Sequence, residues 1–378
     1  MKTNSLSMKI PGATGFKRVP VLILLVISVI LGFTTTVPAG QVFAPVIVTD
    51  ATGKSIRFTR FPRRIVVIGV APFVPLHILY MFPEMKNILV GYEQKTRNMG
   101  SFIELIDPGC KGKSAMMSNP GIEQIVSLNP DLVVAKGTVP GTLDKPLAQI
   151  GIPTLCLNTE TPEKFLNDIA VIGKVLGNET RAREISAFYN RRLNLIKEGL
   201  KGITPEQKPR VLVIEYSNRG GGTAVRVPAA SWIQTIQVQK AGGRPVWTDH
   251  VKMQHGWQIV GFEQIAVWNP DKIFMVVWHT LDDRRIMHSL ESDGKWRMLK
   301  AVNSNNFFLI PHDMLSWDTP DPRWILGMLW MAGKIHPERF SQIDITEEVY
   351  LFFEQLYAMD KAAVDRHILP ELTLNAGS

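Results

Sequence analysis

One stretch of this chain occurs twice, and the second copy starts 140 residues after the first. Gly121-Ile122-Glu123-Gln124-Ile125-Val126-Ser127-Leu128-Asn129-Pro130-Asp131 is answered by Gly261-Phe262-Glu263-Gln264-Ile265-Ala266-Val267-Trp268-Asn269-Pro270-Asp271, with seven of eleven positions identical. An offset of that size is a domain length and far exceeds a solenoid repeat. An apolar run follows each copy, Leu132 to Ala135 in the first and Ile273 to Trp278 in the second. The pattern predicts a short helix stopped by Asn-Pro-Asp, then a buried strand. Near-continuous apolar strands suit a parallel sheet covered on both faces. Two lobes of related architecture are the expected outcome.

The rest of the chain alternates in the same sense. Strands are expected at Arg64 to Val70, Ile88 to Val90 and Thr154 to Leu157, then at Arg210 to Tyr216 and Phe307 to Ile310. Helices are expected from Pro75, from Leu143 to Ile150, and from Trp232 to Ala241. This alternation predicts an α/β fold, bilobed, with mainly parallel sheets. Val46 to Phe58 reads as a small hairpin turning at Ala51-Thr52-Gly53. From Glu179 to Leu200, apolar residues fall at Ala182, Ile185, Phe188, Tyr189, Leu193, Ile196 and Leu200, a helical stripe. A helix of that length runs about 33 Å and braces two lobes, which implies a modest hinge. The expected divisions are an N-terminal lobe over 45–178, an inter-lobe helix over 179–202, a C-terminal lobe over 203–360 and a tail over 361–378. Glu347 to Met359 is expected as a helix packing on the second lobe.

The first 39 residues read as an export signal. Lys17 and Arg18 precede the apolar run Val19 to Phe33, and Val37 and Ala39 occupy the small-residue positions of a cleavage site. An uncleaved leader that anchors the chain in the membrane is the alternative. The formal net charge is +8, and half of it comes from Lys2, Lys9, Lys17 and Arg18. The remaining basic residues form no stripe, so nucleic acid is not an expected partner. Two cysteines make no disulfide framework. Cys156, in an apolar run, is expected as a buried thiol; Cys110, after Pro108-Gly109, is expected in an exposed loop.

The order of these pieces resembles a known family. Its marks are Val48-Thr49-Asp50-Ala51-Thr52-Gly53-Lys54, Arg64-Ile65-Val66-Val67-Ile68, Ile122-Glu123-Gln124-Ile125 with Asn129-Pro130-Asp131-Leu132, and Ile172-Gly173-Lys174-Val175-Leu176-Gly177. The second Glu263-Gln264 and Trp296-Arg297-Met298-Leu299-Lys300-Ala301-Val302 complete them. Together they resemble the solute-binding proteins of iron-complex (siderophore, haem) and cobalamin ABC importers, whose two lobes share a rigid helical connection. The resemblance implies an exported, monomeric protein of the periplasm or its equivalent. It implies a ligand held between the lobes and passed to a permease dimer with its own ATPase. It also implies one surface glutamate per lobe pairing with permease arginines, and the matching residues are Glu123 and Glu263. A branch of the family carries molybdate or tungstate, which keeps an oxyanion carrier open. A sensor or binding module on the same fold is a further alternative.

Ligands of α/β folds bind outside the carboxyl ends of parallel strands. In the loops so selected, Tyr92, Tyr216, Trp257 and Trp317 are candidates to cover a bulky flat or chelated ligand. Arg97, Arg219 and Arg284 are candidates to pair with carboxylates or an oxyanion, and His279 joins them as a tentative contact. No metal site is expected, because the eight histidines show no HExxH or CxxC spacing. Gly53-Lys54-Ser55 and Gly112-Lys113-Ser114 lack the earlier glycine of a phosphate loop, with Val48 and Asp107 in its place. There is no G-x-S-x-G elbow and no selected carboxylate pair. The chain is expected not to be an enzyme and to hold no cofactor.

Overall fold

The structure is a computed structural model, and it describes residues 45–94, 101–217, 224–253, 256–277 and 281–374. The leader lies outside the described residues. A hairpin, β1 (Val46–Thr49) against β2 (Ser55–Phe58), precedes the first sheet. That sheet contains β3 (Ile65–Gly69), β4 (Leu89–Glu93), β5 (Ser114–Met116), β6 (Leu132–Lys136) and β7 (Thr154–Leu157). Their order is β5-β4-β3-β6-β7, and every pairing is parallel. The order reverses between β3 and β6, the place where doubly wound sheets open a crevice at their carboxyl ends.

The second sheet is mixed. Its strands are β8 (Arg210–Ser217), β9 (Ala224–Pro228), β10 (Arg244–Pro245), β11 (Trp257–Val260), β12 (Lys272–Val277) and β13 (Phe307–Leu309). The path runs β11-β9-β8-β12-β13, with β10 beside the start of β8. β8, β12 and β13 are parallel, whereas β9 runs against β8 and β11 against β9. The antiparallel flank went unread in the sequence, although Val225-Arg226-Val227 carries the alternation of a half-buried strand.

The helix Glu179–Gly199 starts on an Asn178 side-chain cap and buries Ala182, Ile185, Phe188, Tyr189 and Ile196. On one side it meets the Pro162–Leu176 helix of the first lobe, where Gly173 lets the backbones approach. On the other side Tyr189 stacks on Trp324, at 5.1 Å between ring centroids. One apolar core therefore runs through both lobes, and a smaller one, with Val66, Ile68, Ile125 and Val133, lies on the other face of the first sheet. The late helix Ile345–Tyr357 does not pack on the second lobe alone. Its Tyr357 ring lies 4.9 Å from Phe102 of the first lobe, and its hydroxyl donates to the His77 carbonyl at 3.2 Å. Aromatic residues on two of its faces give it two partners.

Candidate functional site

The carboxyl ends of β3 and β4 open on a cavity of about 380 Å³, lined in part by Gly69, Glu93, Asn119, Gly121, Ile122 and Leu143. Gly69 has φ +104°, a conformation that L side chains rarely adopt, so it turns the chain at the strand end. The buried Glu93 carboxylate accepts from the Gly69 N–H at 2.7 Å and the Asn119 N–H at 2.9 Å. Lys136, at the end of β6, forms an ion pair with Glu160. The other Glu160 oxygen accepts from the Ile233 N–H at 3.2 Å and so reaches the helix Ile233–Lys240 of the second lobe. A second strap between the lobes joins Lys240 to Glu163 at 2.7 Å. In the second lobe, buried Glu215 pairs with Arg226 at 2.7 Å.

The aromatic candidates divide. Tyr216 is half-buried near the end of β8. Trp257 is half-buried at the start of β11, with its ring edge-on to Trp232 at 6.2 Å. Tyr92 and Trp317 are corrections, because neither forms an open cleft wall. Tyr92 is 5% exposed, and its hydroxyl accepts from the Cys110 thiol at 3.7 Å. Trp317 is fully buried and donates its indole N–H to Asp313 at 3.1 Å. Each aromatic body fills core space and finds one polar partner there. Arg284 is exposed in the first turn of the helix Asp283–Ser292. Arg97, Arg219 and His279 lie outside the described residues. Both cysteines are buried free thiols, so Cys110 is not in an exposed loop. Burial raises the pKa of both, and Cys156 is pushed up to about 11.

A buried charge cluster had no sequence signal, since His77 lies 244 positions from Asp321. Arg323 donates to Asp313 at 2.7 Å and to Asp321 at 2.9 Å. Asp321 also faces His77 of the first lobe, with Nδ1 to carboxylate at 3.1 Å. The Arg323 guanidinium lies over Phe102, 4.4 Å from its centroid. Burial lowers the pKa of His77 despite Asp321. This cluster pins the first lobe to the second.

The two repeat copies adopt matching geometry. The helices are Ile122–Val126 and Phe262–Trp268, each entered from an extended glycine. Ile125 and Ile265 are fully buried, and Pro130 and Pro270 are buried beside them. Asn129 and Asn269 take left-handed φ of 47° and 34°; Asn269 caps its helix directly, and Asn129 closes the turn that follows the first helix. Asp131 accepts from the Arg64 N–H at 2.9 Å, and Asp271 from the Arg210 N–H at 2.8 Å. Glu123 and Glu263 are exposed at the second position of their helices. Gly121 lines the cavity at the ends of β3 and β4, and Val260, before Gly261, is level with Val225 and hence with Tyr216 on β8. Both carboxylates therefore stand at the carboxyl-end side of their sheets.

This arrangement has known counterparts. The family model described as "Periplasmic binding protein" matches residues 111–314. The chain belongs to that family. Molybdate-binding protein MolA of Haemophilus influenzae is 23% identical over 266 residues, which cover 64% of this chain and 71% of MolA. The Fe(3+)-citrate-binding protein YfmC of Bacillus subtilis is 23% identical over 270 residues, 69% of this chain and 77% of YfmC. A cobalamin-binding protein of Halobacterium salinarum is 22% identical over 326 residues, 82% of this chain and 83% of that protein. A periplasmic solute-binding protein from Veillonella parvula shares the fold with a TM-score of 0.69 at 20% identity, covering 86% of this chain and 97% of its own. As a periplasmic binding protein, the chain is the extracytoplasmic substrate-binding component of an ABC importer. The family binds solutes without transforming them.

Proposed function

We propose that this periplasmic binding protein captures a bulky metal chelate, an iron complex or a corrinoid, and delivers it to a two-fold permease dimer through Glu123 and Glu263. The observation that carries the ligand class is how the described charges at the strand ends are engaged. Lys136 is paired with Glu160, Arg226 with Glu215, and Glu93 with two backbone N–H groups. Trp257, Tyr216 and the exposed Val70 supply aromatic and apolar area around them. A large ligand gains affinity by covering such area. A small oxyanion needs unengaged donors, although the likeness to a molybdate-binding protein keeps that reading as the second one.

For docking, the support is elimination within the repeat. Gly, Ile, Asn, Pro and Asp have structural work in both copies, Gln124 accepts from the Gly121 N–H at 3.1 Å and Gln264 is half-buried, whereas Glu123 and Glu263 are exposed at equivalent places. One symmetric pair of carboxylates suits a symmetric receptor. The test is a tryptophan-fluorescence titration with ferric citrate, cyanocobalamin and sodium molybdate, then uptake by Glu123→Arg/Glu263→Arg. Saturable binding of a chelate, with uptake abolished and affinity unchanged in the variant, is expected. Saturation by molybdate alone moves the reading to an oxyanion carrier. Lost ligand affinity in the double variant sinks the docking assignment.

A further inference from the structure

We propose that two clamps, Arg64 with Asp131 and Arg210 with Asp271, are positioning elements that hold Glu123 and Glu263 at a fixed separation for the permease. The inference rests on the docking reading above and adds the residues that place the carboxylates. Helices of five and seven residues are unstable alone, so something else must fix them. The second ends with carbonyls that have no partner inside the helix, and the first runs into a turn at 127–128 before Asn129. In the first lobe, Arg64 donates its Nε to the Leu128 and Asn129 carbonyls at 3.0 Å each, and a terminal nitrogen to Leu128 at 2.7 Å. In the second lobe, Arg210 donates to the Trp268 carbonyl at 2.6 Å. The aspartates answer. Asp131 accepts from the Arg63 and Arg64 N–H groups, and its own N–H donates to the Arg64 carbonyl at 2.9 Å. Asp271 accepts from the Arg210 N–H, and its own N–H donates to the Arg210 carbonyl at 2.8 Å.

The same two residue types thus exchange the same bonds in both lobes. Arg64 immediately precedes β3 and Arg210 opens β8, and these strands are the inner members of their sheets. Each clamp ties a docking segment to the start of a central strand whose far end is the carboxyl-end side of its sheet. On the Trp268 carbonyl the Arg210 guanidinium caps a helix end, where the dipole is negative and favours a cation, and Arg64 holds the turn that follows the first helix. Arg64 is itself exposed, so solvation alone would leave it free of the carbonyls it holds. The second clamp has an extra strap, because Lys300 pairs with Asp271 at 2.6 Å and its N–H donates to the Asn269 side chain at 3.1 Å.

The experiment uses the full chain with spin labels on Glu123→Cys and Glu263→Cys, the native thiols being buried. Pulsed electron resonance measures the distance distribution between the labels, with and without Arg64→Ala/Arg210→Ala. The distribution is expected to broaden in the clamp variant while far-ultraviolet circular dichroism stays unchanged. In unlabelled protein, the same two substitutions should weaken binding to the reconstituted cognate permease about tenfold, as the removal of aligned charge contacts does. A distribution equally narrow with and without the clamps overturns the proposal. So does unchanged permease affinity when Glu123→Ala/Glu263→Ala weakens it. If the glutamate variant leaves permease affinity intact, the docking reading itself fails, whatever the label distances show.

Discussion

At the residue scale, Asp168 sets charge against burial. It is 3% exposed on the Pro162–Leu176 helix and accepts from the Asn158 N–H at 2.7 Å. Burial, with Asp50 nearby, pushes its carboxyl up to about 7. The folded protein therefore holds a proton at Asp168 that the unfolded chain releases near pH 4. Its contribution to stability is complete below that value and is lost as pH rises through about 7. Asp168→Asn keeps an acceptor for Asn158 and needs no proton. It is expected to raise unfolding free energy by roughly 1–3 kcal/mol at pH 8, with the gain shrinking toward pH 5. Urea unfolding at the two pH values checks this; an equal effect at both would show that ionisation is not involved. Tyr92 and Trp317 teach a related lesson. A large aromatic residue in a loop-rich stretch looks the same in sequence whether its body faces solvent or core, and here packing took both inside.

At the element scale, contact between the Pro162–Leu176 and Glu179–Gly199 helices depends on a missing side chain. A Cβ at Gly173 would lie 2.4 Å from the Ala182 Cβ, with the backbone of Asn178 and Glu179 close behind. Neither neighbour has a flexible end to move. Gly173→Val is expected to cost about 1–3 kcal/mol by overpacking, read as a lower thermal midpoint. A neutral result would mean the helices separate easily and do not brace the lobes. These helices were legible because their apolar residues recur at threes and fours, and the repeat helices because Asn-Pro-Asp stops them. The β9 and β11 strands were hidden among glycines and short polar stretches. Antiparallel pairing there follows from which neighbour β8 offers, and local pattern does not encode a neighbour.

At the scale of the whole molecule, the lobes are joined by more than the long helix. Asp313, Asp321 and Arg323 from one lobe and His77 from the other form a buried set, with Tyr189 donating to the Pro322 carbonyl at 2.8 Å and Tyr357 to the His77 carbonyl. Burial alone would push the Asp321 carboxyl up, but Arg323 and His77 outweigh it and hold it below the usual range. Removing Asp321 leaves buried His77 without its carboxylate and Arg323 with Asp313 alone. Asp321→Ala is expected to lose roughly 3–5 kcal/mol and to speed hydrogen exchange in Phe73–Leu79 and Trp324–Ile335 together. Faster exchange in one helix only would show that the cluster stabilises a lobe without linking the two. Acid acts in the same direction. His77 has its pKa lowered by burial, so its contribution is complete above 6.5 and declines as pH falls below that value.

The sequence by itself determined the α/β class, the duplication and most strands, because apolar periodicity and helix stops are local properties; the two surface glutamates came from the family resemblance. The family resemblance rested on the same local pieces in order. Only the tertiary structure decided that Tyr92 and Trp317 are core residues, that the second sheet has an antiparallel flank, and that the helix Ile345–Tyr357 serves both lobes. It alone brought His77 to Asp321, 244 positions apart, and matched Arg64 and Arg210 to their aspartates. Contacts of that range depend on how finished elements pack, and no window of the chain contains both partners.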